Sequence, residues 1–209
     1  MPTAETPVLD DSLANLVEKV SQRLLVLTDG EHRTYVGSEL PAVDRALSRI
    51  QNEGLAPGPV FCEWGSGLGV AAALATMLGF ESYGIEIEEP LVEAARDLAA
   101  DFDLPVQFVQ GSFIPAGAEA CAEQSYADNS SEFLWVVTDA DAAYEELGLE
   151  LADFDLVFAY PWPGDDSLLA NLFNEHAAQE ALLLTYDQFN SIQLRRKVGS
   201  GSEDYSASS

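Results

Sequence analysis

Two carboxylates and a run of glycines carry the most definite chemistry in this sequence. In Phe61-Cys62-Glu63-Trp64-Gly65-Ser66-Gly67-Leu68-Gly69-Val70 the glycines fall on alternate positions, and Glu63 stands two residues before the first. Glycine admits positive φ and lets a ligand approach the backbone closely. A helix that begins directly after such a turn presents unpaired N–H groups to that ligand. A dinucleotide site shares these physics but uses G-x-G-x-x-G, whose third glycine would fall on position 70, here Val70. The observed E-x-G-x-G-x-G suits a ligand with an ammonium group and no pyrophosphate, with Glu63 toward the cation. Downstream, Glu86 closes the segment Tyr83-Gly84-Ile85-Glu86, and an acid about 20 residues past such a turn can accept hydrogen bonds from ribose hydroxyls. An acid at a strand end is also an ordinary solvated charge, and it is the glycine turn that gives Glu86 its functional reading.

These residues need a frame, and the apolar patterning supplies one. Strands are predicted at 60–64, 82–87, 106–109, 154–160 and 181–186, with an edge strand at 192–198. Between them lie helices at 68–78, around Leu91, Ala94, Ala95 and Leu98, and at 166–178. Ala71, Ala72, Ala73 and Ala75 let the first of these helices lie close to a sheet. Alternation of helices with near-continuously apolar strands predicts a parallel sheet covered on both faces. Two helices precede it. One carries Leu13, Leu16, Val17, Val20 and Leu24, and the other starts at Ser38, a good N-cap, with Val43, Ala46, Leu47 and Ile50 on one face. Residues 1–56 are thus expected to form an N-terminal helical cap, 57–198 the main domain, and 199–209 a small, polar, flexible tail. The stretch 116–152 reads as an irregular insertion, with an extra strand at 133–137 and a short helix at 142–147.

The E-x-G-x-G-x-G turn resembles motif I of the class I, seven-strand S-adenosylmethionine-dependent methyltransferases. Ile87-Glu88-Glu89-Pro90 after Glu86 is similar to that family's passage from second strand to helix. The resemblance implies an α/β fold: a doubly wound, mainly parallel sheet (Rossmann-like methyltransferase fold), strand order 3-2-1-4-5 with one further strand possible. It implies S-adenosyl-L-methionine as cofactor, held by Glu63, Gly65, Ser66, Gly67, Gly69, Glu86, Ile87, Gly111, Ser112 and Phe113. The family often has Gly-Asp after its third strand, the Asp on the adenine amino group. Here Ser112 follows Gly111, so adenine recognition passes to the Ser112 hydroxyl or the backbone of Phe113. Tyr35-Val36-Gly37-Ser38 is similar to the Y-[VI]-P-[ST] segment of FAM173-type and other lysine methyltransferases, with Gly37 in place of proline. That likeness implies Tyr35 closing over the cofactor and Ser38 touching it.

The methyl acceptor is expected beyond the fourth strand, at Tyr160-Pro161-Trp162-Pro163. Amine-methylating relatives carry Asn/Asp-Pro-Pro-aromatic there, and the missing amide or acid argues against adenine or cytosine methylation. The prolines make a rigid turn whose carbonyls can hold an amine, and Trp162 offers a cation–π wall. A structural turn with Trp162 packed on the sheet edge is the alternative. Tyr35, Tyr160 and Trp162 are the candidate catalytic residues; no His/Cys/Asp set has metal-ligand spacing, so no metal is expected.

Nine Lys+Arg against 36 Asp+Glu leave a formal net charge of −27 over 209 residues. Phosphate binding needs clustered cations, and the sole cluster, Arg195-Arg196-Lys197, is short, so a nucleic-acid partner is not expected. The acidic field favours an amine or a basic protein segment, and serves solubility equally well. Cys62 in a buried strand, no secretion signal and no membrane-length apolar run suggest a cytoplasmic protein. The leading expectation is methyl transfer to an amine on a protein or small molecule. A cofactor-binding module without catalysis is the alternative, and a nicotinamide oxidoreductase is disfavoured by Val70.

Overall fold

The computed structural model describes residues 14–16, 18–20, 40–128, 142–161, 165–186 and 192–199. The expected strand at 133–137 lies outside these residues, as do Tyr35, Ser38 and Trp162. Six strands form one sheet: β1 (Val60–Trp64), β2 (Glu81–Glu86), β3 (Gln107–Gln110), β4 (Leu156–Ala159), β5 (Leu182–Tyr186) and β6 (Ile192–Arg196). Their order is β3-β2-β1-β4-β5-β6, with β1 to β5 parallel and β6 antiparallel to β5. This is the expected 3-2-1-4-5 arrangement with one further strand at the edge.

Period-two alternation divides the strand side chains between two cores. Phe61, Phe108, Leu156, Phe158, Leu182 and Leu184 meet the helices α1 (Leu40–Asn52), α2 (Val70–Met77) and α3 (Glu89–Asp101). Leu16 and Val20 join this core. Cys62, Trp64, Ile85, Val109, Val157 and Leu183 face α4 (Glu119–Asp128), α5 (Ala143–Leu147) and α6 (Asp166–His176). A sheet buried on both faces needs apolar residues at nearly every position, which is why β4 reads as an unbroken apolar run and β5 as one interrupted at Thr185.

The element ends depart from the sequence reading for local reasons. α2 starts at Val70, because Gly69 sits at φ 68°, outside the helical region. β3 starts at Gln107, because the Val106 N–H is turned back onto the Leu104 carbonyl at 2.9 Å. α6 stops at His176, where Ala177 swings to an extended ψ of 161°. The helix α4 falls in the stretch expected to be irregular. Among its described side chains Ala122 is the buried one, with Ala118 just ahead of it, and two alanines give no apolar period to read.

Candidate active site at the carboxyl ends of the strands

The segment 65–69 turns the chain from β1 into α2. Its glycines have φ of 64°, 52° and 68°, and two of them border open space. A Cβ built on Gly65 or Gly67 meets nothing within 4 Å, so a ligand can reach the backbone there. At Gly69 the space is already filled by the Phe108 ring. The same ring lies 2.5 Å from where a Cβ on Gly84 would stand. One turn therefore combines an open side for a ligand with a closed side that seats α2 on the sheet. The Ser66 N–H donates to the Ile85 carbonyl at 3.0 Å and ties the turn to the end of β2.

Two carboxylates frame this turn. Glu86, 7% exposed at the end of β2, accepts from the Gly67 N–H at 2.8 Å and from the Glu88 N–H at 3.0 Å. Each oxygen holds one N–H, and a carboxylate offers about four lone-pair sites. Capacity for further donors remains. Glu63, 6% exposed, accepts from the Ala72 N–H at 2.8 Å and so locks the end of β1 to the first turn of α2. Burial pushes its carboxyl up from 4.5 to about 8, against the N–H groups of Ala72 and Ala71, which lower it; the nearby Glu86 raises it further.

The turn after β3 completes the row. Gly111 N–H donates to the Glu86 carbonyl at 2.8 Å, and the Gln110 side chain reaches the Ile87 carbonyl at 3.3 Å. Ser112 is buried, and its hydroxyl accepts from the Ile114 N–H at 3.2 Å. Ile87, by contrast, is an apolar side chain 41% exposed directly after Glu86. Glu63, Gly65, Ser66, Gly67, Gly69, Glu86, Ile87, Gly111, Ser112 and Phe113 thus all follow or end the adjacent strands β1, β2 and β3.

Similarity by sequence is silent here: no protein-family model matches the chain, and neither does any curated protein. Solved structures do match. An RNA methyltransferase from Salinibacter ruber, solved with S-adenosyl-L-homocysteine, superposes with a TM-score of 0.51 at 19% identity, over 78% of this chain and 95% of that one. The O-methyltransferase from Bacillus cereus, also in complex with S-adenosylhomocysteine, gives 0.51 at 12% identity, over 86% of this chain and 68% of that one. The chain has the Rossmann-like methyltransferase fold.

On this methyltransferase fold Tyr160 follows β4, next to β1 in the sheet. It is 42% exposed, and its ring stacks on Tyr186 with centroids 5.9 Å apart. Tyr186, at the end of the neighbouring strand β5, was not singled out by sequence. Strand alternation held the signal, since Phe158 and Tyr186 face the same core. Two further residues were missed beneath the site. Trp64 stacks on Phe113 at 5.3 Å, and the Tyr144 hydroxyl donates to the Phe113 carbonyl at 2.7 Å.

The cation cluster has a structural explanation. Arg196 donates to the Leu55 carbonyl at 2.8 Å and the Glu180 carbonyl at 3.2 Å, while Lys197 donates to the Ala177 carbonyl at the end of α6. Because β6 runs antiparallel to β5, with Arg196 beside Leu182 and Ile192 beside Tyr186, this cluster lies at the opposite end of the sheet from the glycine turn.

Proposed function

We propose that this chain binds S-adenosyl-L-methionine across the ends of β1 and β2 and transfers its methyl group to an amine on a protein or small molecule. The observation that carries the reading is the pairing of Glu86 with the Gly67 N–H beside two glycines that border open space. The residues fit the cofactor. Glu86 keeps lone pairs for ribose hydroxyls, the backbone at Gly65 and Gly67 accepts the methionine portion, and Ile87 and Phe113 flank the base. Ser66, buried with an unpartnered hydroxyl among the described residues, adds a polar group in the turn. Glu63 answers the ammonium group, its carboxyl ionising as the cation arrives. Tyr35, Ser38 and Trp162 complete the site in this reading, over the cofactor and the acceptor.

The bound sulfonium supplies an activated methyl group, so the chain has to orient and deprotonate the acceptor rather than activate the donor. Tyr160, exposed on its stack with Tyr186, forms an aromatic wall where an amine can rest. An amine is favoured over a nucleic acid by charge. The net charge is −27, and five of the seven described cations, Lys19, Arg49, Arg96, Arg196 and Lys197, bond to carboxylates or backbone carbonyls. A cofactor-binding module without transfer is the second reading, favoured by the local engagement of the Ser112 hydroxyl.

Calorimetry with S-adenosylmethionine and S-adenosylhomocysteine, followed by a screen for methyl transfer to amine acceptors, tests both. Binding with transfer is expected. Absence of binding by either ligand rejects the first reading, and tight binding without transfer selects the second.

A further inference from the structure

The turn after β3 is held from below by two side chains that the proposed function leaves unused. Phe113 is half-buried, and its ring lies on Trp64 with an interplanar angle of 16°. Trp64 is the last residue of β1, directly before the glycine turn. Tyr144 comes from α5, inside the stretch that looked irregular, and bonds the Phe113 carbonyl from across 31 residues of sequence. Its own ring is buried and packs on Phe154 with centroids 6.4 Å apart, which fixes the direction of the hydroxyl. Burial, and then the neighbouring Cys62, raise its pKa well above the ordinary tyrosine value. The hydroxyl therefore stays a donor through neutral and mildly alkaline conditions.

The polar groups of the turn are thereby sorted. The Phe113 carbonyl is taken by Tyr144, and the Ser112 hydroxyl accepts from Ile114. The Phe113 N–H forms no hydrogen bond among the described residues. We propose that Tyr144 is a positioning residue for the cofactor: its hydroxyl, with Trp64 under the Phe113 ring, fixes this turn so that the Phe113 N–H donates to N1 of the adenine. The inference rests on the site being an S-adenosylmethionine pocket. A donor held rigid before binding costs little ordering when the ligand arrives. Adenine N1 accepts a hydrogen bond, whereas the N1 of hypoxanthine carries a hydrogen, so such a donor selects the first base over the second.

The test is calorimetry of the wild-type chain and Tyr144→Phe with S-adenosylhomocysteine and S-inosylhomocysteine, with the melting temperature taken alongside. The wild type is expected to prefer the adenine ligand by about tenfold. Tyr144→Phe keeps the ring on Phe154, and is expected to weaken that ligand about 5- to 10-fold while shrinking the preference, the loss of one net hydrogen bond. Equal weakening of both ligands, or an intact preference, makes Tyr144 a packing residue only and overturns the proposal. No binding of S-adenosylhomocysteine by the wild type overturns the pocket reading itself, and the proposal with it. Should Tyr144→Phe fail to fold, Trp64→Phe carries the same comparison, and a retained preference there counts against the proposal.

Discussion

The two ends of the sheet use the same kinds of charged group for different work. At the amino ends of the strands, Asp155 accepts from the Val60 N–H at 2.9 Å and its own main chain joins Val60 and Leu182, while Arg196 and Lys197 hold carbonyls of neighbouring turns. Each of these bonds ends on a backbone group of a neighbouring segment and ties two stretches of chain together. At the carboxyl ends, Glu63 and Glu86 also bind backbone N–H groups, yet they do so around glycines that border open space. The difference teaches that a carboxylate on a backbone amide is not diagnostic of structure or of function. What decides is whether its remaining lone pairs face protein or a cleft.

Glu86→Ala gives the sharpest test of this contrast. Removing the two charge-assisted contacts proposed to the ribose hydroxyls is expected to weaken S-adenosylhomocysteine roughly 100-fold by calorimetry. An affinity within threefold of wild type breaks the comparison at its functional end. Asp155→Ala should do the reverse: chemical denaturation is expected to lose about 1–3 kcal/mol, because the Val60 N–H is left unpaired, with cofactor affinity unchanged in the folded protein.

Glu63 lies between these extremes and yields the smallest effect, one that depends on pH. Its folded pKa is raised from 4.5 to about 8, so the folded chain holds a proton that the unfolded chain releases above 4.5. The stability it contributes is complete below 4.5 and is lost as pH rises through about 8. Glu63→Gln lacks that proton, so its melting temperature should gain on wild type across this interval. Binding of an ammonium group prefers the ionised acid. Wild-type affinity for S-adenosylhomocysteine should therefore rise several-fold relative to Glu63→Gln toward pH 8, as judged by calorimetry at both ends of the range.

Much of the frame was legible because a doubly wound sheet writes itself twice, in near-continuously apolar strands and in the glycines between them. The first turn also announced Glu63 and Glu86, whose positions at strand ends follow from chain direction alone. Other features left no local trace. The helix α4 buries Ala122 where a period needs large side chains, and Tyr144 meets Phe113 only because the fold brings α5 under β3. Sequence likewise placed Glu63 facing a cation, whereas the fold first fastens it to α2. The spacing of an acid from a glycine says where it stands, not which amide it finds.

The Phe108 ring carries an evolutionary consequence. It fills the volume that two glycines from separate segments leave vacant, Gly69 ahead of α2 and Gly84 in β2. Three distant positions thus behave as one heritable unit. An alanine at position 84 needs the ring to shrink and the Ser66 Cβ, 3.0 Å from the added carbon, to give way as well, so the two changes are coupled. At Gly69 a side chain meets a second cost, because its φ of 68° disfavours one even when the ring is gone. Positions 84 and 108 are therefore coupled through volume, whereas position 69 is constrained by its backbone as well.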